Sequence, residues 1–318
     1  MKVVVIGSGN VGLAVFRELQ RQNEINELVL AGRNKKKSLG EIMDLRDADV
    51  LSSSSTFTRL LGGGYEETKN ADIIIYAAGV GRKPGQDRLS LVQENAVIAK
   101  SIFTEVLKYN QEAIILVISN PVDVLTAVIR EITGFDRNRV IGTGTLLDSA
   151  RLSGIISSFL ELSPRSISGL MIGEHGNSSC VLWDTVRIGG ISLQDYFAAD
   201  IGIASDTHTD RLSSFVRAIG GKIIEAKGYT AYGVAAAAAS IVTAITQDSH
   251  DLFPVSVQMN GEYGLERIAL SIPCILGRQG IVNTVPMSLK EEDKASLLKS
   301  ADTIREVTLP VLEELLQE

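Results

Sequence analysis

The stretch Lys2-Val3-Val4-Val5-Ile6-Gly7-Ser8-Gly9-Asn10-Val11-Gly12 decides the fold. Val3 to Ile6 is an apolar run without polar alternation, the pattern of a strand buried on both faces of a parallel sheet. Three glycines at G-x-G-x-x-G spacing follow at once. An amphipathic helix from Val11 to Gln22 and a second strand from Glu27 to Ala31 complete a strand–turn–helix–strand unit. In that context each glycine has a task. Gly7 makes the tight turn, Gly9 lets a pyrophosphate approach the backbone, and Gly12 lets helix pack on strand. The helix start, with Asn10 and Val11, offers unpaired N–H groups and the positive end of a dipole to phosphate.

The end of the second strand departs from the usual pattern. A carboxylate is expected there, about 20 residues past the glycines, to bind a ribose 2′-hydroxyl. This chain has Gly32-Arg33-Asn34-Lys35-Lys36-Lys37 instead. A carboxylate would repel a 2′-phosphate, whereas its absence together with Arg33 would welcome one, at about 1.5–3 kcal/mol for a charge-assisted bond. The expectation is NADP(H). NAD(H) is the alternative, with Arg33 and the lysines serving only as a solvated helix start.

Outward from this unit the alternation continues. It predicts a helix over 36–47, a Ser-rich loop, a short strand near Thr56 to Leu60, a turn at Gly62-Gly63-Gly64 and a buried strand from Asp72 to Ala77, ended by Ala78-Gly79. The polar segment from Val80 to Arg88 holds Pro84, Gly85 and three cations, Arg82, Lys83 and Arg88. It reads as a loop able to close over an anion, or as an ordinary charged surface loop. A helix (Leu89 to Asn110), a strand (Ala113 to Ile118), the rigid turn Ser119-Asn120-Pro121, a helix (Val122 to Thr133) and a strand (Arg139 to Ile141) follow. The expected fold class is α/β, a Rossmann doubly wound parallel sheet over residues 1–141, followed by an α+β catalytic domain over 142–318.

In that second part, Thr145 to Leu160 is helical, and Asp148 and Arg151 share one face. They form either a surface pair or an inward-facing one. Strands are expected at Ser166 to Ile172, Cys180 to Ile188, Leu252 to Met259, Arg267 to Leu276 and Ile281 to Val285. Helices are expected at Ser205 to Lys227, Thr230 to Gln247 and Leu289 to Gln317. The first of these strands runs into Gly173-Glu174-His175-Gly176-Asn177. Of the chain's three histidines only His175 is flanked by glycine. Imidazole can give or take a proton near neutral pH, so this loop is either a proton-transfer site or a surface turn.

Composition narrows the function classes. Of 318 residues, 45% are hydrophobic and 22% charged, and the net charge is −7, so a cationic nucleic-acid footprint is lacking. A small anionic substrate stays compatible if a few arginines converge in a cleft. The two cysteines are isolated, with no zinc spacing, which fits a reducing cytoplasm and no metal. The N-terminal apolar run is too short for a secretory core, and the alanine-rich run from Val234 to Ile245 is too short to span a membrane. No G-x-S-x-G elbow points to a hydrolase. A dinucleotide sensor would have no need of Arg88, Asp148, Arg151 and His175 together.

Taken with Lys83-Pro84-Gly85-Gln86-Asp87-Arg88, Ile118-Ser119-Asn120-Pro121-Val122-Asp123-Val124 and Gly142-Thr143-Gly144-Thr145-Leu146-Leu147-Asp148-Ser149-Ala150-Arg151, these motifs resemble the lactate/malate dehydrogenase family over essentially the whole chain. The middle and late segments, including Lys227-Gly228-Tyr229-Thr230, look most similar to L-lactate and L-2-hydroxyisocaproate dehydrogenases. The resemblance implies hydride transfer between a nicotinamide cofactor and a small L-2-hydroxy or 2-oxo acid. It implies His175 as proton donor and acceptor, Asp148 as its orienting partner, and Arg88 as polariser of the carbonyl. It implies Arg151 as clamp of the 1-carboxylate, with Arg82, Asn120 and Thr230 also at the substrate. The cofactor-binding set implied is Gly7, Gly9, Asn10, Val11, Gly12, Gly32, Arg33, Asn34, Ala78, Gly79, Asn95, Ser119 and Asn120, with a cis Asn120–Pro121 bond. A homotetramer is expected, with a homodimer as the alternative.

Substrate choice turns on Arg82, where lactate dehydrogenases of the family usually carry Gln and malate dehydrogenases Arg. An arginine facing a methyl group would be desolvated and unpaired, and losing one partner of such a pair costs about 2–5 kcal/mol. The expectation is malate/oxaloacetate, with L-lactate or a branched L-2-hydroxy acid as the alternative, which Thr230 favours. Ser153 and Ser168 stand where bisphosphate-regulated lactate dehydrogenases carry Arg and His, so no activation by a sugar bisphosphate is expected.

Overall fold

Why the first strand reads as apolar at every position is visible in where its side chains go. In the computed structural model, which describes residues 1–51, 58–81, 88–198 and 206–317, strand β1 (Lys2–Ile6) is the hub of a sheet covered on both faces. Val3 and Val5 enter one apolar cluster, Val4 and Ile6 the other. Helix α1 (Asn10–Leu19), strand β2 (Glu27–Ala31), helix α2 (Lys35–Val50), strand β3 (Arg59–Gly63), strand β4 (Ile73–Tyr76) and helix α3 (Arg88–Val106) follow. Strand β5 (Ile114–Val117), helix α4 (Val122–Thr133) and strand β6 (Val140–Gly142) complete the first part.

The parallel strands lie in the order β3-β2-β1-β4-β5-β6, so the order reverses beside β1. Open parallel sheets bind ligands at such a reversal, outside the carboxyl ends of the strands. The expected Rossmann half is therefore present. The glycine run corrects one expectation: Gly62 and Gly63 belong to β3 rather than to a turn, paired with Leu30 and Ala31. The cause is packing. A Cβ on Gly62 would sit 2.8 Å from the Ser38 carbonyl oxygen, so glycine there lets α2 lie directly on the strand.

The second part comprises helix α5 (Leu146–Leu160), strands β7 (Ile167–Ile172), β8 (Cys180–Ile188) and β9 (Ile191–Ser192), and helices α6 (Leu193–Ala198), α7 (Asp206–Lys227) and α8 (Tyr232–Gln247). Strands β10 (Leu252–Asn260), β11 (Glu266–Gly277) and β12 (Gly280–Thr284) and helix α9 (Glu291–Gln317) end it. Strands β7 to β9 form a small antiparallel sheet. Strands β10 to β12 instead extend the main sheet, joined where Ser256 of β10 pairs with Gly142 of β6. One nine-stranded sheet thus runs through both halves of the chain.

The alanine run forms the middle of α8, with Ala235, Ala238, Ile241, Val242 and Ile245 buried. Small side chains let α8 pack closely on α1, where Gln22 donates to the Ala239 carbonyl at 3.0 Å. Among the described residues no helix is long and apolar enough to cross a membrane.

Candidate active site

The cofactor fingerprint can be tested by asking what its glycines leave room for. Gly7 adopts φ +124°, and a Cβ there would lie 2.7 Å from the Ala77 carbonyl oxygen. A Cβ on Gly12 would lie 1.8 Å from the Gly7 oxygen, so any side chain would push α1 off β1. A Cβ on Gly9 would meet nothing within 4 Å. Gly9 is the N-cap of α1 and supplies no side-chain cap, which leaves the first N–H groups at Asn10 and Val11 without a partner from the cap. Tight glycines below and open space above a free helix start suit a diphosphate.

From that turn a cleft of about 720 Å³ extends between Gly32, Arg33 and Asn34 on one side and Ala78 and Gly79 on the other. Val97, Ile98 and Ile102 of α3 give it an apolar wall, suited to an adenine ring. The residues present fit a dinucleotide. Ser8, Lys37 and Tyr65 also line the cleft, and the motif reading missed them. A larger hollow of about 1000 Å³ opens beside Met1, Asp72 and Ile114, at the opposite ends of the parallel strands, away from the fingerprint.

Asn95 is buried, and its amide is fully engaged. Oδ1 accepts from the Val80 N–H at 2.8 Å, and Nδ2 donates to the carbonyls of Val80 (3.2 Å) and Asn120 (3.1 Å). It thereby ties the cleft rim to the turn after β5. In that turn the Ser119 hydroxyl donates to the Ala78 carbonyl at 2.6 Å, and the Asn120–Pro121 peptide is cis.

The same turn leads straight to the titratable cluster. Asp123, in the first turn of α4, accepts the His175 N–H through Oδ2 at 2.7 Å. The His175 ring Nδ1 meets Asp148 Oδ2 at 2.6 Å, and Arg151 Nη1 donates to Asp148 Oδ1 at 3.1 Å. Asp148 and Arg151 therefore face inward, toward the loop after β7, and do not form a surface pair. Their side chains are only 8% and 14% exposed, and that of His175 is 22% exposed.

Electrostatics follow from this chain of contacts. Burial alone would push the His175 imidazole down, but the charge and hydrogen bond of Asp148, helped by Asp123 and opposed by Arg151, leave it raised above 6.5. Asp148 is held below the usual carboxylate range: burial works against this, and His175 and Arg151 outweigh it. The sequence reading gave Asp123 no role. It is buried, which pushes its carboxyl up to about 6, opposed by the nearby Ser256 hydroxyl and by the His175 backbone N–H that it accepts. Its Oδ1 has no hydrogen-bond partner among the described residues. Periodicity marks it only as one more polar residue at a helix start; the one signal that could have found it is its place in the Ile118–Val124 motif.

An imidazole raised above its ordinary pKa, with one nitrogen on a buried carboxylate, can deliver a proton from the other. Arg151 uses one Nη on Asp148 and keeps further N–H donors for an anion. Thr230 lies half-buried in the connection from α7 to α8. Gly233 of α8 packs on Leu147, next to Asp148; a Cβ there would lie 2.9 Å from a Leu147 methyl. Arg82 lies outside the described residues, and Arg88 begins α3 with its side chain outside them. Among the described residues no cluster of His, Cys, Asp and Glu could hold a metal ion.

Comparison with known proteins agrees with this geometry. Residues 1–142 match the model for the lactate/malate dehydrogenase NAD binding domain, and residues 145–315 the model for the lactate/malate dehydrogenase alpha/beta C-terminal domain. L-lactate dehydrogenase 2 of Lactococcus lactis is 37% identical over 306 residues, covering 96% of both chains. L-lactate dehydrogenase of Thermoanaerobacterium saccharolyticum is 36% identical, covering 96% of this chain and 97% of that one. The ligand-bound crystal structure of minor L-lactate dehydrogenase from Enterococcus mundtii superposes with a TM-score of 0.91 at 35% identity, covering 96% of this chain and 97% of that one. With the two family models together matching nearly the whole chain and a fold this similar, the chain belongs to the lactate/malate dehydrogenase family.

Proposed function

We propose that this oxidoreductase reduces a small 2-oxo acid to the L-2-hydroxy acid, and the reverse, with His175 as the proton donor and acceptor. When bound, the nicotinamide cofactor supplies or takes the hydride. The observation that carries the reading is that the Asn120 turn, tied to the cleft rim by Asn95, runs on into Asp123, which holds the His175 backbone N–H, while the His175 ring meets Asp148 and Asp148 meets Arg151. Asp148 orients the ring and favours its charged form, so that a proton is ready as negative charge develops on the substrate oxygen. Arg151 pairs with the 1-carboxylate in two-pronged fashion. Arg88 polarises the carbonyl, and Asn120 assists there.

The substrate side is read first as lactate/pyruvate, because the similar proteins are L-lactate dehydrogenases, and the family resemblance puts Thr230 on the lactate side. Malate/oxaloacetate is the second reading, and Arg82 is the one residue that favours it. For the cofactor, Gly32 and Arg33 in place of a carboxylate favour NADP(H) over the NAD(H) usual in the family. Location in the cytoplasm follows from the same reading. Assembly is read as a homotetramer or homodimer. Leu39 and Met43 on α2 and Tyr232 on α8 expose apolar surface that a neighbouring subunit would cover.

The test is a kinetic grid of pyruvate, oxaloacetate and 2-oxoisocaproate, each with NADH and NADPH, on wild type and Arg82→Gln. Lactate-type function requires pyruvate or its branched homologue to lead. An oxaloacetate rate that leads in wild type and collapses in Arg82→Gln decides for the second reading. No turnover of any 2-oxo acid with either cofactor removes the proposal.

A further inference from the structure

Four cations crowd the end of β2, and the structure separates them. Lys35 is committed to Glu66, with its Nζ 2.6 Å from Oε1. Lys36 is exposed and does not line the cleft. Arg33 and Lys37 do line it, and among the described residues no Asp or Glu does. Lys37 reaches back across the cleft mouth to donate to the Ser8 carbonyl oxygen at 2.7 Å, inside the glycine turn itself. An ammonium holds three donors, so two remain. The Arg33 guanidinium makes no hydrogen bond or ion pair with any described residue; Tyr65, which also lines the cleft, feels its charge.

The floor between these two cations is Gly32. A Cβ there would approach the buried Ser38 hydroxyl to 3.3 Å, so a side chain at the strand end fits once that hydroxyl yields by a few tenths of an ångström. Asn34 caps α2, its Oδ1 accepting the Lys37 N–H at 3.1 Å. The N–H groups of Lys35 and Lys36 precede the helix's own ladder and add to the positive field. Around Gly32 the site thus has a bare floor, two cations on the rim and, among the described residues, no carboxylate lining it to oppose an anion.

We propose that Arg33 and Lys37 together form the seat for the phosphate on the adenosine 2′-oxygen of the cofactor, with Lys37 bridging that phosphate to the Ser8 turn. This rests on the NADP(H) reading and goes beyond it by assigning the grip to two specific side chains out of four. Lys35 and Lys36 take no part in it. Lys37 lies a full helical turn past the position where the family pattern is read, which is why motif reasoning reaches Arg33 and stops.

The test measures binding alone, without a nicotinamide and so without turnover. Adenosine 2′,5′-bisphosphate and 5′-AMP are titrated calorimetrically into the full-length protein, and the ratio of their affinities is the readout. Wild type is expected to favour the 2′,5′-bisphosphate by about tenfold or more, as charge-assisted contacts imply. Lys37→Met and Arg33→Met should each lower the ratio severalfold, and Lys36→Met should not. A wild-type ratio near one overturns the seat and the NADP(H) reading together. A high wild-type ratio that Lys37→Met leaves intact overturns the seat while the NADP(H) reading stands. An equal fall in Lys36→Met and Lys37→Met means a diffuse positive field and also overturns the seat.

Discussion

The two functional regions of this molecule are built in opposite ways. The cofactor cleft is built on glycines and backbone around the turn after β1, and the two cations that line it, Arg33 and Lys37, stand at an exposed rim. The cluster proposed for proton transfer is made of charges buried or nearly so: the His175 ring meets Asp148, Asp148 meets Arg151, and Asp123 holds the His175 backbone N–H. Charges that interact through water on a rim can be exchanged one at a time. Buried charges cannot, because removing one leaves its partner uncompensated. A change of cofactor preference can therefore accumulate in the first region without disturbing the second. A substitution in the second should be felt along the whole chain.

That contrast can be broken most severely at the ring. His175→Gln keeps a polar side chain but cannot ionise, and kcat should fall by about 10²–10⁴, the usual worth of a positioned acid–base group. Arg151→Met comes next. It removes the carboxylate clamp and frees Asp148 from its second partner, and the loss in kcat/KM should correspond to about 2–5 kcal/mol, with most of it in KM. On the rim, Gly32→Asp should swing the NADPH-to-NADH preference by tenfold or so toward NADH, while the pH profile of turnover stays where it was. If that profile moves as well, the two regions are not separable in the way described.

Asp123→Asn is subtler. Asparagine keeps an acceptor for the His175 N–H but removes a charge. The raised carboxyl means that the folded state prefers Asp123 protonated, so the ionised group lowers stability above about pH 6 and this penalty fades as pH falls toward the unfolded value of 3.8. The variant should therefore gain melting temperature over wild type at pH 8, and the gain should shrink at pH 5. The smallest effect expected is none. Fructose bisphosphate should leave the half-saturation for the 2-oxo acid unchanged, because Ser153 and Ser168 bring no charge to a phosphate. A clear drop on addition contradicts this.

Much of the fold was legible because apolar periodicity and glycine spacing report burial directly. The Rossmann strands, α4 and the buried α8 stand within a few residues of their expected places. Gly62 and Gly63 misled because glycine marks both turns and close helix–strand approach, and only the position of α2 distinguishes them. Strand β9 and helix α6 are too short to leave a periodic trace. In the site, His175, Asp148 and Arg151 could be named from residue type and spacing, but not whether the pair faced inward. The contacts of Asp123 and Lys37 were out of reach, because their partners, the His175 N–H and the Ser8 carbonyl, are backbone groups far off in sequence. Arg82 was legible by type, and it lies outside the described residues.

The central claim is that a carboxylate-supported imidazolium hands its proton to the carbonyl. It is tested most directly by the pH dependence of kcat/KM for 2-oxo acid reduction in wild type and Asp148→Asn. Reduction needs the charged ring, so wild-type activity should hold above pH 6.5 and fall as pH rises through the raised His175 pKa. Asp148→Asn removes the main groups that raise it, and the falling limb should move to lower pH along with a drop in rate. A limb that stays in place in the variant, or a wild-type profile with no alkaline limb at all, would contradict the account.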